Sequence, residues 1–200
     1  MFTLYRLLHP NDSNLKRYWK HRGTIYYSDS EKIESLDPQF KIQEKVLIEC
    51  LKNISFDSCL EVGGGYGRIS KIILENFKIN NLTISDLSDK QIKNAKKFLQ
   101  NDSINYVTSD IDSLNFEDKF ELVIAITVLM HISDKDIVRS IRKLHELSSK
   151  YIIHLDASDF IAQSFHVFDH DYEKIHRMID PNINIKTIKI NKQKLFLIQK

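Results

Sequence analysis

Apolar residues along this chain fall into two alternating rhythms: short continuous runs, and stripes at helical spacing. Val46, Leu47, Cys50 and Leu51 predict a helix over residues 43–53, packed just ahead of a first strand that ends in Cys59-Leu60-Glu61-Val62. Ile69, Ile72, Ile73 and Phe77 form the next helical stripe, and residues 82–86 read as a second strand. Ser88 is the expected N-cap of a helix burying Ile92, Ala95 and Leu99. A short strand over 106–111 and an apolar run over 120–132 follow, and Ser133 is then the expected cap of a helix burying Ile137, Ile141, Leu144 and Leu147. Residues 151–155 read as a fifth strand, and 183–190 with 194–198 as a terminal hairpin turning at Asn191-Lys192-Gln193. Strands alternating with helices predict an α/β fold, a parallel sheet with helices on both faces.

The first strand runs into Glu61-Val62-Gly63-Gly64-Gly65-Tyr66-Gly67, where Gly63, Gly65 and Gly67 are spaced by two. Glycine suits positive φ and close approach of backbone to a ligand, and the helix that follows presents unpaired N–H groups. This strand–turn–helix therefore predicts a nucleotide-like ligand. The turn alone fits nicotinamide or phosphate binders as well.

Composition narrows the class without naming the chemistry. The chain has 200 residues, 42% of them hydrophobic, enough for one core, and no Pro-, Gly- or Ser-rich linker divides it. Its 29 basic and 27 acidic residues are interspersed, which argues against nucleic acid as a partner. Cys50 and Cys59 lie in apolar contexts, as reduced buried thiols do. With no apolar run long enough to cross a bilayer and no signal-peptide pattern at the N-terminus, a cytoplasmic protein away from membranes is expected.

Four segments in order resemble the class I, Rossmann-like S-adenosylmethionine-dependent methyltransferases over roughly residues 43–155: the glycine turn, residues 82–86 ending in Asp86, residues 106–111 carrying Asp110, and residues 120–132. The resemblance implies a seven-stranded, mostly parallel, doubly wound sheet with an antiparallel terminal strand. It implies S-adenosyl-L-methionine as methyl donor and S-adenosyl-L-homocysteine as product. Gly63, Gly65 and Gly67 would approach the donor, and Asp86 would accept its ribose hydroxyls. Leu87 would lie on the adenine face, with Asp110 and the Ile111 N–H at its edge and Asp112 competing for the role of Asp110. Glu61 would orient the glycine loop or the methionine ammonium, and Thr127 would offer its carbonyl to that ammonium.

The acceptor side rests on weaker signals. The amino-group-binding segment of nucleobase enzymes is missing after the fourth strand, so a small-molecule or sugar-like acceptor, attacked through oxygen, is the expectation. His131, His166 and His170 are the candidate bases, each with packing as its alternative. Trp19, Arg22, Tyr26 and Tyr172 are the candidate acceptor contacts, and no metal-binding cluster is found in the sequence. Residues 1–42 are expected as an arm or lid over the site, and residues 43–200 as the catalytic domain. A nicotinamide-dependent dehydrogenase and a non-catalytic donor-binding subunit are the alternatives. No motif bears on oligomeric state.

Overall fold

A computed structural model describes residues 12–25, 38–157 and 166–200. Helix α1 spans Asp12–Ile25 and α2 spans Pro38–Leu51. The pattern then alternates through β1 (Ser58–Val62), α3 (Arg68–Asn76), β2 (Asn81–Asp86), α4 (Asp89–Leu99), β3 (Asn105–Thr108) and β4 (Phe120–Ile126). It closes with α5 (Ile137–Leu147), β5 (Ser148–Ala157), α6 (Tyr172–Ile179), β6 (Asn184–Ile190) and β7 (Gln193–Gln199). One-turn 3₁₀ segments follow β3 at Ile111–Ser113 and β4 at Leu129–His131. One seven-stranded sheet results, in the order β3-β2-β1-β4-β5-β7-β6. The first five strands pair in parallel, and β7 runs antiparallel to both β5 and β6.

Several boundaries differ from the sequence reading for local reasons. Helix α2 begins at Pro38 rather than 43, because proline suits a first helical position, so residues 38–42 belong to that helix. Ser88 caps α4 as expected, accepting from the Gln91 N–H. Ser133 does not cap α5. Asp136 occupies the cap position, and the Ser133 hydroxyl donates to the Asp136 carboxylate one turn earlier. The terminal hairpin is tighter than expected: Gln193 pairs with Ile190, leaving Asn191 and Lys192 as a two-residue turn with Asn191 at φ 54°.

Strand alternation sorts the core onto the two faces of the sheet. Leu122, Ile124 and Ile126 of β4 face α2, α3 and α4, packing with Leu47, Leu51, Ile73 and Ile92. Val123 and Ala125 face the other way, toward Ile137, Ile141 and Leu144 of α5 and Tyr172 of α6. Cys50 and Cys59 are buried free thiols. No described helix is long and apolar enough to cross a membrane.

Acids also lie in this interior, Glu61 among them. Glu61, on β1, is 3% exposed and accepts a hydrogen bond from the Ser70 hydroxyl of α3. Burial raises its carboxyl to a pKa of about 7, against the opposing pull of Ser70 and Arg68.

Two outcomes follow from this core. Ile124→Ala should lower the unfolding free energy by about 2–5 kcal/mol in urea titrations, since it empties a fully buried site in the central sheet. Glu61→Gln should change the pH dependence of stability. Between about pH 4.5 and 7 the unfolded chain releases a proton that the folded protein keeps, so the wild type loses stability as pH rises through this window. Urea midpoints at pH 5 and pH 8 should therefore move apart in favour of the glutamine variant by roughly 2–3 kcal/mol; a constant gap would refute the raised carboxyl.

Candidate functional site

The strand order reverses between β1 and β4, where the β1 and β4 chains leave the sheet in opposite directions and open a crevice at their carboxyl ends. A cavity of about 570 Å³ lies there, within the range of small-molecule sites. Val62, Gly63, Gly65, Asp86, Leu87, Asp110, Ile111 and Thr127 line it, as do Trp19, Met130, His131 and His166.

The glycine loop is shaped by its neighbours. Gly63 has φ +68°, and a Cβ there would lie 2.5 Å from Val128 Cγ2, so the following loop packs directly on its backbone. Gly65 has φ +56° and no atom within 4 Å of a Cβ position, so its backbone faces open space in the cavity. Gly67 caps α3 and packs toward Leu99, outside the cavity lining. Glu61 is likewise behind the loop, bonded to Ser70 and outside the cavity lining.

Asp86 ties the loops together. Its Oδ2 accepts the Gly65 N–H at 2.9 Å, and its Oδ1 accepts the Ser88 N–H at 2.8 Å. Burial raises its carboxyl above the usual range, while these two donors act the other way. Asp110 caps the 3₁₀ turn through Ser113 and pairs with Lys16 of α1 at 3.2 Å. Burial pushes the Asp110 carboxyl up, but Lys16 and Ser113 outweigh it and hold it below the ordinary value. Asp112, its rival, is held by Arg139 at 2.8 Å and by the Ser140 hydroxyl at 2.8 Å. Thr127 sits at φ 58°, a left-handed conformation that strains a β-branched residue. Its N–H donates to the Leu155 carbonyl and its hydroxyl to the Ile126 carbonyl, which hold it there.

On the other side, the Trp19 ring lies 4.2 Å from the His131 ring, and His166 stacks on Tyr18 at 5.0 Å. His131 Nδ1 donates to the His166 carbonyl at 2.7 Å, which assigns the lone pair to Nε2. Burial lowers the His131 pKa to about 4, partly offset by the His166 carbonyl, so the ring is neutral near pH 7.

Two sequence candidates fall elsewhere. His170 donates from Nε2 to the Ile132 carbonyl at 2.9 Å and sets Nδ1 3.2 Å from Asp134, so both ring nitrogens are engaged and it does not line the cavity. Tyr172 is 1% exposed and packs on His154 and Phe196 in the second core, because it opens α6 with its ring turned to the sheet. Arg22 lies in α1, but its side chain, like Tyr26, falls outside the described residues. Sequence reasoning missed Lys16, and also Gln193, which reaches the cavity from the β7 hairpin and accepts from Gln39 and Gln43 at 3.0 and 2.9 Å. Neither carries a motif.

Comparison with known proteins adds an independent line. Residues 59–150 match the family model described as a methyltransferase domain. The malonyl-[acyl-carrier protein] O-methyltransferase of Priestia megaterium is 32% identical over 123 residues, covering 58% of this chain and 40% of that protein. The enzyme of the same name from Calditerrivibrio nitroreducens is 26% identical over 129 residues, covering 63% and 46%. The chain thus spans less than half the length of these curated relatives. Among solved structures, the N-methyltransferase NodS of Bradyrhizobium japonicum, in complex with S-adenosyl-L-homocysteine, superposes with TM-score 0.76 at 14% identity over 93% of this chain and 97% of its own. Magnesium protoporphyrin IX methyltransferase of Synechocystis, with the same product bound, gives TM-score 0.72 at 16% identity over 95% and 100%. The family match falls on the same segment as the glycine turn, Asp86 and Asp110, so residues 59–150 carry a methyltransferase domain, within a chain that has the class I, Rossmann-like fold of S-adenosylmethionine-dependent methyltransferases.

Proposed function

We propose that this protein binds S-adenosyl-L-methionine in the crevice between β1 and β4 and transfers its methyl group to an oxygen of a small acceptor. The observation that carries this reading is a single cavity lined by two chemically distinct sets of residues. Gly65, Asp86 and Asp110 form one set, and a neutral His131 packed against Trp19 and His166 forms the other. The donor supplies an electrophilic methyl on a sulfonium. Everything else is done by positioning.

At the donor end, the two oxygens of Asp86 keep lone pairs beyond those used by Gly65 and Ser88, and these suit a ribose diol. Leu87 offers an apolar face for adenine, with Asp110 and the Ile111 backbone at its edge. Strained Thr127 turns the chain where a carbonyl is wanted by the methionine ammonium. At the acceptor end, the Nε2 lone pair of His131 can take a hydroxyl proton as the new C–O bond forms. Its low basicity suits an oxygen whose proton becomes acidic only late in transfer. The two curated relatives carry O-methyltransferase names, which supports oxygen over nitrogen. The α1 segment bearing Trp19 serves as a lid, and the two free buried thiols suit a reducing, cytoplasmic setting.

Calorimetric titration with S-adenosyl-L-homocysteine should show binding to the wild type and a loss of about tenfold or more in Asp86→Ala, in line with a lost charge-assisted contact of about 1.5–3 kcal/mol. Full affinity in the variant would overturn the ribose assignment; no binding to wild type would overturn the whole reading. His131→Gln should lower kcat by about 10²–10⁴ toward hydroxyl acceptors while leaving product affinity intact. A change confined to thermal stability would instead make His131 a packing residue.

A further inference from the structure

Behind the acceptor end, on the α5 and α6 face of the sheet, three buried histidines and one buried acid form an unbroken hydrogen-bonded chain. His145 Nε2 lies 2.8 Å from His176 Nδ1, His176 Nε2 lies 3.1 Å from His154 Nε2, and His154 Nδ1 lies 2.9 Å from Asp156 Oδ2. The other oxygen of Asp156 accepts the Met130 N–H at 3.0 Å. His154, Asp156 and His176 are fully buried and His145 is 5% exposed. These nitrogens pair with one another in line rather than converging on a point, and no group of three or more ligating side chains suited to a metal occurs among the described residues.

The direction of the chain follows from counting protons. If Asp156 is ionised and His154 is neutral, His154 donates from Nδ1 and accepts at Nε2, so His176 donates from Nε2 and accepts at Nδ1 from His145 Nε2–H. The last atom, His145 Nδ1, is then a bare acceptor, and it is the one nitrogen of the chain with no hydrogen-bond partner. The opposite direction needs a protonated Asp156 and strands a buried N–H at His145, which is the costlier orphan. Burial also keeps the outer rings neutral, lowering His176 to about 2 and His145 to about 4, with neighbouring histidines and Lys200 contributing.

We infer that this chain is a directional proton relay ending on Asp156, and that Asp156 is a positioning residue for His131. Asp156 holds the 3₁₀ turn Leu129–His131 by its Met130 N–H, and its negative charge favours proton uptake on His131. When a proton binds His145 Nδ1, His145 passes its Nε2 proton to His176 Nδ1. His176 then passes its own to His154 Nε2, and His154 passes its Nδ1 proton to Asp156 Oδ2. One proton enters, Asp156 becomes neutral, and all three imidazoles stay neutral with exchanged tautomers. The relay thus sets the charge beneath the acceptor site without moving a heavy atom. The charged and titratable groups facing it are Arg142 on α5, Asp180 after α6, Lys200 after β7, Lys194 opposite Asp156 on β7, Tyr172 on α6, and His131 itself. The role assigned to His131 rests on the proposed methyl transfer; the relay does not.

The test is long-range ¹H–¹⁵N spectroscopy of the histidine-labelled full chain at pH 7.5. The wild type should show His154 protonated on Nδ1 and both His176 and His145 on Nε2; any other set overturns the relay's direction. In Asp156→Asn the amide can accept from Met130 N–H while donating to His154, so all three tautomers should switch together, an effect that a purely structural role would not produce. Unswitched tautomers in the folded variant would overturn the relay. The same variant should lower kcat by about 10- to 100-fold with the KM for the methyl donor within threefold, and an unchanged kcat would overturn the positioning role. If the variant does not fold, the wild-type spectrum still decides the direction, and His154→Gln replaces it. That variant cuts the relay while keeping a donor on Asp156, and should shift the acid limb of the kcat profile to lower pH; an unmoved limb counts against the relay. Because the spectra need no turnover, a wild type without methyl transfer would sink the proposed function and leave the relay to be judged on its tautomers.

Discussion

The site depends on one buried carboxylate bridging two loops. Parallel strands end at the same edge of a sheet, so the loops leaving β1 and β2 must be fastened to each other before any ligand arrives. Asp86 does this with one oxygen on the Gly65 N–H and the other on the Ser88 N–H. A second bond, from the Gly64 N–H to the Ser85 carbonyl, keeps the loop in register with β2. Ser88 in turn caps α4, so the same acid sets the start of that helix. Charge-assisted bonds of this kind are about twice as strong as neutral ones, and here they leave the outer faces of both oxygens toward the cavity.

Burial gives the two acids beside this loop different roles. Glu61 lies deeper, has Ser70 as its hydrogen-bond donor, and is raised to about 7. Asp86 has two backbone donors that oppose its burial. It lines the cavity together with Asp110, whereas Glu61 lies behind the loop. Lys16 of α1 pairs with Asp110, so any ligand group that reaches this carboxylate competes with an ammonium already bound to it.

That Gly63, Gly65, Asp86 and Asp110 line one cavity was legible in the sequence because each part is local: a glycine turn follows a strand, and an acid ends a strand. Alternating apolar rhythms also gave the sheet and its helices, down to the Ser88 cap. The rest of the cavity lining was less legible because it is assembled from distant segments. Gln193 arrives from the terminal hairpin and Lys16 from α1, and neither has a local pattern to announce it. Tyr172 was misread because an aromatic opening a helix looks the same in sequence whether it faces a cavity or a sheet. A usable signal did exist for the buried relay: His154 and Asp156 stand two apart in an otherwise apolar strand, which places both polar groups on one face.

The cluster of histidines around residues 166–170 has a further explanation in the way the acceptor side is strapped. The loop bearing Met130 and His131 is bound to the later segment at three points: the Phe168 N–H donates to the Met130 carbonyl, His131 to the His166 carbonyl, and His170 to the Ile132 carbonyl. Met130 is held on both sides, since its own N–H is taken by Asp156. An irregular turn buried beside a cavity leaves backbone groups that a strand ladder cannot satisfy, and a ring N–H reaches them at fixed geometry. Histidine is suited to this because it has a second nitrogen left over. In His170 that nitrogen is taken by Asp134, whereas His131 lines the cavity with its Nδ1 already committed to the His166 carbonyl. The same side chain can therefore hold the turn with Nδ1 and meet an acceptor with Nε2, and the chemistry available to it depends on how firmly its backbone is held.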